Sequence, residues 1–192
     1  MDYIRGDGNC FFRALSKEMY GTEDYHAEWR EAVCDVIGSH PHVFRQYVDG
    51  GKVASHVKEM RALGTWATTC EIYATATLLQ REVYVLAPSP TSGDLNSTEY
   101  NWLLFSPRSL TGSSAGGSRS RLSSAGHDAD GGSGHDDVHP CYLTLCHTNG
   151  NHYDRITPLI ARCNCEIPPP SLNGVSVLLD LTESDEEEMQ QG

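Results

Sequence analysis

Apolar residues in the first half of the chain recur at the three- and four-residue spacing of α-helices. Cys10 to Tyr20 keeps this spacing until Gly21, a residue type that commonly ends helices. Thr68 can cap a later helix, with Glu71 in its first turn. The pattern predicts helices over about residues 10–20, 25–48 with a break at His40-Pro41, 52–63, and from about 68 onward.

Short apolar runs replace the helical spacing in the second half of the chain. They predict strands at about 82–86, 100–105 and 141–146. A turn at Asn149-Gly150-Asn151, followed by His152 to Ile156, predicts a β-hairpin. Helices followed by strands indicate an α+β fold, in which a helical layer packs on a small, mostly antiparallel sheet.

Two segments lack the apolar content that a folded core needs. Residues 107–139 are rich in Gly, Ser and Asp, so we expect a flexible, low-complexity insertion between two strands. Residues 161–192 contain Pro168-Pro169-Pro170 and a run of acidic residues, which predicts a linker and a tail. The folded domain is therefore expected to span residues 1–160.

The overall charge limits the partners of the chain. Its 192 residues carry a formal net charge of −12 and no basic stripe, which argues against nucleic acid or an anionic membrane as a partner. The seven cysteines form no CxxC pair, and the first residues lack a secretory signal pattern. We expect an intracellular protein, cytoplasmic and/or nuclear, with reduced thiols and without a cofactor or a metal.

The stretch GDGNCFFRALS places Cys10 where a polar turn meets a predicted helix. A buried cysteine is often only a packing residue. At a helix N-terminus, however, unpaired backbone N–H groups and the helix dipole lower the pKa of a thiol. The same N–H groups can bind the oxyanion that forms when a thiolate attacks a carbonyl. The position of Cys10 is thus compatible with a nucleophile.

A nucleophilic thiol needs a base, and the base needs a group that orients it. His152 and Asp154 are two residues apart in a predicted strand, so their side chains share one face of the sheet. Such a pair on its own is commonly a coincidence of surface composition. Its combination with Cys10 favours a catalytic interpretation.

Three blocks of the chain together resemble the ovarian-tumour (OTU) domain family of cysteine proteases. They are the Asp7-Gly8-Asn9-Cys10 motif with Phe12-Arg13-Ala14-Leu15-Ser16, the middle segment from Gly64-Thr65-Trp66 to the strand at Val83, and His152-Tyr153-Asp154. The resemblance implies a papain-like thiol protease that cleaves ubiquitin or a ubiquitin-like modifier from proteins. The sequence departs from the family after Trp66, where Ala67-Thr68-Thr69 replaces the usual small residues.

The resemblance also implies roles for individual residues. Cys10 is the expected nucleophile and His152 the general base. Asp154 is expected to orient the histidine, whereas Asp7 is expected to shape the turn whose Gly8, Asn9 and Cys10 amides bind the oxyanion. Asp7 also matches a family position assigned to the active site, so which of the two aspartates orients His152 stays open. Trp66 is either a core or loop anchor or a wall of the substrate channel.

The C-terminal tail has two interpretations. Val177, Leu178, Leu179 and Leu181 precede acidic residues and resemble a SUMO-interacting motif. Alternatively, these apolar residues dock on the chain's own domain. Two other functions also stay open, namely a catalytically silent ubiquitin-binding module and a protease for a ubiquitin-like modifier such as SUMO.

Overall fold

A computed structural model describes residues 1–89, 99–111, 141–148, 151–157, 164–172 and 177–178. Its helices are α1 (Cys10–Tyr20), α2 (His26–Ser39), α3 (Pro41–Phe44), α4 (Val53–Met60) and α5 (Thr69–Leu79). Its strands are β1 (Val83–Pro88), β2 (Glu99–Phe105), β3 (Leu143–Thr148), β4 (His152–Arg155) and β5 (Val177–Leu178). Short 3-10 turns occupy Arg45–Tyr47, Asp49–Gly51 and Asn164–Glu166.

The strands form one sheet in the order β4-β3-β1-β2-β5. Only the central pair, β1 with β3, is parallel among the described strands, with Val83 opposite Leu143. The other three pairings are antiparallel. The expected α+β class with a small, mostly antiparallel sheet is therefore confirmed. None of the helices in the described part of the chain combines the length and the apolar character that a bilayer crossing requires.

The helix boundaries follow local sequence signals in most places. Gly21 ends α1 with φ +74°, and Pro41 begins α3 after the break at His40. The third predicted helix, however, ends at Met60 rather than near Leu63. The amide of Gly64 donates to the Asn9 side chain at 2.8 Å, while the Met60 carbonyl accepts from Arg30 at 2.8 Å. These two tertiary hydrogen bonds replace the helical bond that would have extended α4.

A capping box begins α5, as the sequence predicts. The Thr68 hydroxyl accepts from the Cys70 amide, and the Glu71 carboxylate accepts from the Thr68 amide at 2.7 Å. The Glu71 side chain is fully buried, and its other oxygen lies 2.7 Å from His56 Nε2. A charged residue in the core is thereby paired and hydrogen-bonded, which offsets its desolvation.

The core lies between α1, α2, α5 and the sheet. Its largest apolar members, all fully or almost fully buried, are Phe11, Phe12, Leu15, Val33, Ile37, Phe44, Val83, Leu143 and Leu145. Phe11 of α1 meets Tyr153 of β4 edge to face, with ring centroids 5.3 Å apart. The packing of α1 on β4 brings the start of α1 to the end of the domain that carries His152.

The two segments predicted to lack a core fall mainly outside the described residues. Of the predicted insertion, only residues 107–111 are described; there, the Arg108 guanidinium lies 4.1 Å from the centroid of the Tyr73 ring. In the tail, the backbone of Val177–Leu178 pairs with β2, with Val177 opposite Tyr100. This pairing matches the alternative in which the tail docks on its own domain. Leu179 and Leu181 lie outside the described residues, as does the turn at Asn149-Gly150.

The His56–Glu71 pair predicts a pH dependence of stability. The hydrogen bond to Glu71 raises the pKa of His56 above its ordinary value of 6.5, and nearby Glu59 and Asp49 add to the effect. Because the folded pKa is the higher one, the stabilisation is complete below about pH 6.5 and is lost as the pH rises through the folded pKa. We expect the free energy of unfolding of the wild type to exceed that of His56→Gln by a margin that shrinks over this range.

Urea unfolding from about pH 5.5 to about pH 9 measures this margin. His42→Gln, at an exposed position of α3, is the matched control and should follow the wild type at every pH. A constant margin between wild type and His56→Gln across the range would contradict the coupling.

Candidate active site

The Cys10 thiol lies against the strand that carries His152. Cys10 is the first residue of α1 and only 2% exposed. Its Sγ is 3.9 Å from the carbonyl oxygen of Asn151, and the backbone N–H of Tyr153 also points to the sulfur. The sulfur therefore sits beside the backbone on both sides of His152. The structure brings together two residues that lie near opposite ends of the predicted domain.

The imidazole of His152 is held by a buried carboxylate. His152 Nε2 lies 3.0 Å from Asp154 Oδ1, and Asp154 is 3% exposed. The same oxygen accepts the backbone N–H of Ile4 at 2.9 Å, which fixes the carboxylate in turn. On its other edge the ring faces Gly6, where an added Cβ would lie 3.6 Å from Nδ1. With Nε2 bound to Asp154, Nδ1 is the nitrogen that can accept a proton from a thiol.

The resting thiol differs from the sequence-based expectation of a lowered pKa. Burial raises the pKa of Cys10 above the ordinary thiol value, and the nearby negative charge of Asp154 adds to this effect. The N–H groups of Tyr153, Phe11 and Cys10 itself lower it, but they offset burial only in part. The expectation was wrong because the helix N-terminus acts inside a nearly closed site. Burial thus disfavours the thiolate of Cys10, and a base beside the thiol would favour it.

Asp7 makes hydrogen bonds to its own turn and to the first turns of α1. Its carboxylate accepts hydrogen bonds from Nε and Nη2 of Arg13, at 3.1 and 2.6 Å, and from the backbone N–H of Asn9 at 3.0 Å. The hydrogen bonds with Arg13 hold the pKa of Asp7 far below its ordinary value. These contacts differ from those of Asp154, which meets the imidazole directly. Of these two aspartates, Asp154 is the one whose carboxylate contacts His152 among the described residues, and which of them acts in catalysis stays a prediction.

The turn also changes the set of amides available to an oxyanion. The Asn9 N–H already donates to Asp7, so it does not face the sulfur as the sequence-based interpretation expected. The Cys10 N–H points to its own Sγ. The amides of Cys10 and Gly8 are therefore the two members of the expected set that are left to stabilise an oxyanion.

A loop of residues 61–66, called the 61–66 loop below, packs directly against the turn. Gly8 has φ +76°, and a Cβ built on it would lie 2.0 Å from the Gly64 carbonyl oxygen. Gly8 is thus required both by conformation and by this close approach. Trp66 belongs to this loop and is 43% exposed, so it is not a core residue, whereas the alternatives of a loop anchor and a channel wall stay predictions. Trp29, by contrast, is buried.

Two contacts of the site have no signal in the sequence motifs. Ile4 contributes only a backbone N–H, so its identity gives no indication of the bond to Asp154. Arg30 is fully buried on α2 and donates to the Gly8 carbonyl and the Asn9 side chain. A buried position on a helical apolar face occupied by arginine is the one anomaly that could have identified it.

The described residues also contain a group with potential metal ligands. His56, Cys70 and Glu71 offer ligand atoms that all lie within 4.8 Å of one another. Two of these atoms, His56 Nε2 and Glu71 Oε1, already bind each other, and Glu71 caps α5. Cys70 is fully buried, and burial raises its pKa to about 12, which disfavours the thiolate that a metal would need.

Comparison with protein families identifies the arrangement. Residues 5–112 match the family model described as OTU, OTU-like cysteine protease. The chain belongs to this family. The match includes the Cys10 turn of this OTU domain and its 61–66 loop, and it ends before His152.

Curated relatives match about half of this chain. This chain is 29% identical to OVARIAN TUMOR DOMAIN-containing deubiquitinating enzyme 7 of Arabidopsis thaliana over 83 residues. These residues cover 43% of this chain and 22% of the relative. The chain is also 29% identical to human OTU domain-containing protein 1 over 101 residues, and these cover 53% of this chain and 21% of the relative. The chain therefore matches about a fifth of the length of these relatives.

Solved structures share the fold beyond the sequence match. The OTU domain of OTUD1 superposes with a TM-score of 0.55 at 23% identity, covering 80% of this chain and 81% of that one. The viral OTU domain protease from Taggert virus superposes with a TM-score of 0.53 at 12% identity, covering 84% and 81%. At these identities the likeness establishes the fold and leaves the chemistry to the site itself.

The contact between Gly8 and Gly64 generates a testable prediction. Gly8 and Gly21 have nearly equal φ, +76° and +74°, but a Cβ at Gly21 meets no described atom within 4 Å. Gly21→Ala should lose about 1–2 kcal/mol from backbone strain alone. Gly8→Ala should lose on the order of 2 kcal/mol more, because the 61–66 loop must move away. Urea unfolding of the two variants compares these losses, and equal losses would contradict the close packing.

Proposed function

We propose that this chain is a thiol-dependent deubiquitinase that hydrolyses the isopeptide bond after the C-terminal glycine of ubiquitin. The observation that carries the proposal is the position of the Cys10 sulfur against the backbone on both sides of His152, whose imidazole is held by Asp154. Membership of the OTU-like cysteine protease family supports the reaction class. Ubiquitin as the modifier is supported by the relatives named as deubiquitinating enzymes.

The first half of the reaction forms a thioester. His152 Nδ1 takes the proton of the Cys10 thiol as the sulfur attacks the isopeptide carbonyl. The negative charge that develops on the carbonyl oxygen is stabilised by the Gly8 and Cys10 amides. His152 then gives the proton to the leaving lysine amine, which departs, and the ubiquitin C-terminus stays bound to sulfur.

The second half regenerates the enzyme. His152 takes a proton from water, whose oxygen attacks the thioester carbonyl, and the thiolate that leaves is reprotonated. Asp154 is proposed to orient the imidazole and to stabilise its positive charge in both halves. Asp7 is proposed to shape the turn through Arg13 and Asn9.

The substrate is proposed to reach the sulfur through a narrow channel. The 61–66 loop lies against the turn that precedes Cys10, and its Trp66 is available as one wall of a channel. Two consecutive glycines, as at the ubiquitin C-terminus, have no side chains to clash with such walls.

A ubiquitin derivative with a C-terminal electrophile tests the proposal. We expect the wild type to form a covalent adduct, detected by intact mass, and Cys10→Ala to form none. Cys141→Ala, at a partly exposed cysteine, is the control and should react like the wild type. Ubiquitin binding without an adduct would indicate the silent binding module instead. An adduct with a SUMO electrophile and none with ubiquitin would indicate a protease for that modifier.

The different contacts of the two aspartates predict different kinetic losses. Asp154→Asn keeps the size of the side chain but removes the charge next to His152, so we expect kcat to fall by about 100-fold or more. Asp7→Asn weakens the pair with Arg13, so we expect a lower melting temperature and a fall in kcat of at most about 10-fold in the folded protein. Circular dichroism controls for folding. The opposite ranking would mean that Asp7, not Asp154, orients the imidazole.

A further inference from the structure

Arg30 is a fully buried arginine that reaches both loops beside the candidate nucleophile. Nη2 donates to the Gly8 carbonyl at 3.2 Å, to Asn9 Oδ1 at 2.9 Å and to the Thr65 carbonyl at 2.9 Å. Nη1 donates to the Met60 carbonyl at 2.8 Å. One side chain on α2 thereby ties the turn before Cys10 to both ends of the 61–66 loop.

The guanidinium has no carboxylate partner within ion-pair distance among the described residues. Its acceptors are three backbone carbonyls, one amide oxygen and the sulfur of Met60, and its face lies 4.2 Å from the centroid of the Phe12 ring. Burial of a charge without a counter-ion is costly. An apolar residue on α2 would fill the core without this cost, so the hydrogen bonds to the loops are the specific contribution of Arg30.

The bond to Gly8 acts on one particular peptide group. The carbonyl of the Gly8–Asn9 peptide is held by Arg30, and the N–H of the same peptide is held by Asp7 at 3.0 Å. A peptide is planar, so two bonds at opposite ends fix its orientation. The amides proposed to bind the oxyanion, those of Gly8 and Cys10, lie directly before and after this peptide.

Asn9 extends the same network to the neighbouring loop. Its Oδ1 accepts both from Arg30 and from the Gly64 amide at 2.8 Å. Arg30 Nη2 bonds the turn and Thr65, while Nη1 bonds Met60. Only a planar group with several donors satisfies these acceptors together. A lysine at position 30 has a single nitrogen and cannot reach Gly8, Met60 and Thr65 at once.

We propose that Arg30 is a positioning residue that holds the Gly8–Asn9 peptide so that the flanking amides face the reacting carbonyl oxygen. This inference rests on the proposed function. It assigns to Arg30 an effect on the transition state rather than on the binding of ubiquitin, because Arg30 is buried behind the turn and does not reach the surface.

Steady-state kinetics of Arg30→Lys on a ubiquitin–fluorophore substrate test the split between binding and catalysis. We expect kcat to fall by about 10- to 100-fold, since a displaced oxyanion donor costs about this much or more, while KM changes by at most about 3-fold. Arg45→Lys, at an exposed position of a 3-10 turn, is the matched control and should keep both constants.

The affinity for ubiquitin aldehyde, compared with that for plain ubiquitin, gives a second readout. Loss of fold alone would not weaken one of these affinities without the other. The adduct of the aldehyde with the thiol carries an oxygen in the oxyanion position, whereas plain ubiquitin does not. Arg30→Lys should weaken the affinity for the aldehyde by the same factor as kcat and leave the affinity for ubiquitin unchanged. A folded Arg30→Lys that keeps kcat and the ratio of the two affinities would overturn the proposal.

A second variant keeps the test decisive if Arg30→Lys does not fold. Arg30→Met removes the bond to the Gly8 carbonyl without leaving a buried charge, and we expect the same selective loss of aldehyde affinity. An unchanged ratio in folded Arg30→Met would also overturn the proposal. If the wild type forms no aldehyde adduct and has no turnover, the proposed function itself fails; if the wild type reacts and the variants match it, only the role of Arg30 fails.

Discussion

The active site depends on the pairing of the first residues of the domain with strand β4. Asp2 exchanges two backbone hydrogen bonds with Arg155, at 2.8 and 3.1 Å, and the Ile4 amide binds the Asp154 carboxylate. Lys17 of α1 adds an ion pair to Asp2. These contacts bring the start of α1 to the strand that carries His152. They add to the packing of Phe11 on Tyr153, which also joins α1 to β4.

The contacts of Cys10 and His152 fit the proposed reaction, in which the imidazole takes the proton of the thiol. Cys10 is 2% exposed, and burial raises the pKa of its thiol. The proposed base, His152, is held by Asp154 through one nitrogen, which leaves the other to accept the proton. The two aspartates make different contacts, because Asp154 contacts the imidazole of His152 and Asp7 contacts the turn before Cys10. The network of Arg30 completes the rigid support behind the same turn.

Much of this site follows from the sequence, and the exceptions have physical causes. The helix from Cys10, the cap at Thr68 and the shared face of His152 and Asp154 depend on local spacing, which a sequence displays directly. The early end of α4 and the role of Arg30 depend on partners distant in the chain. The raised pKa of Cys10 reflects burial by α1 and β4 together, which no local pattern encodes. The order of the three motifs along the sequence indicates the family without any knowledge of the geometry.

The rate of alkylation of Cys10 as a function of pH tests the central claim, that this thiol reacts under the influence of His152. In the folded free protein, His152→Gln should displace the pH profile of the wild type, because the proposed base on the strand beside the sulfur is removed. His42→Gln, exposed on α3, should leave the profile in place. Superimposable profiles for the wild type and His152→Gln would contradict the account, since the imidazole would then have no electrostatic contact with the sulfur.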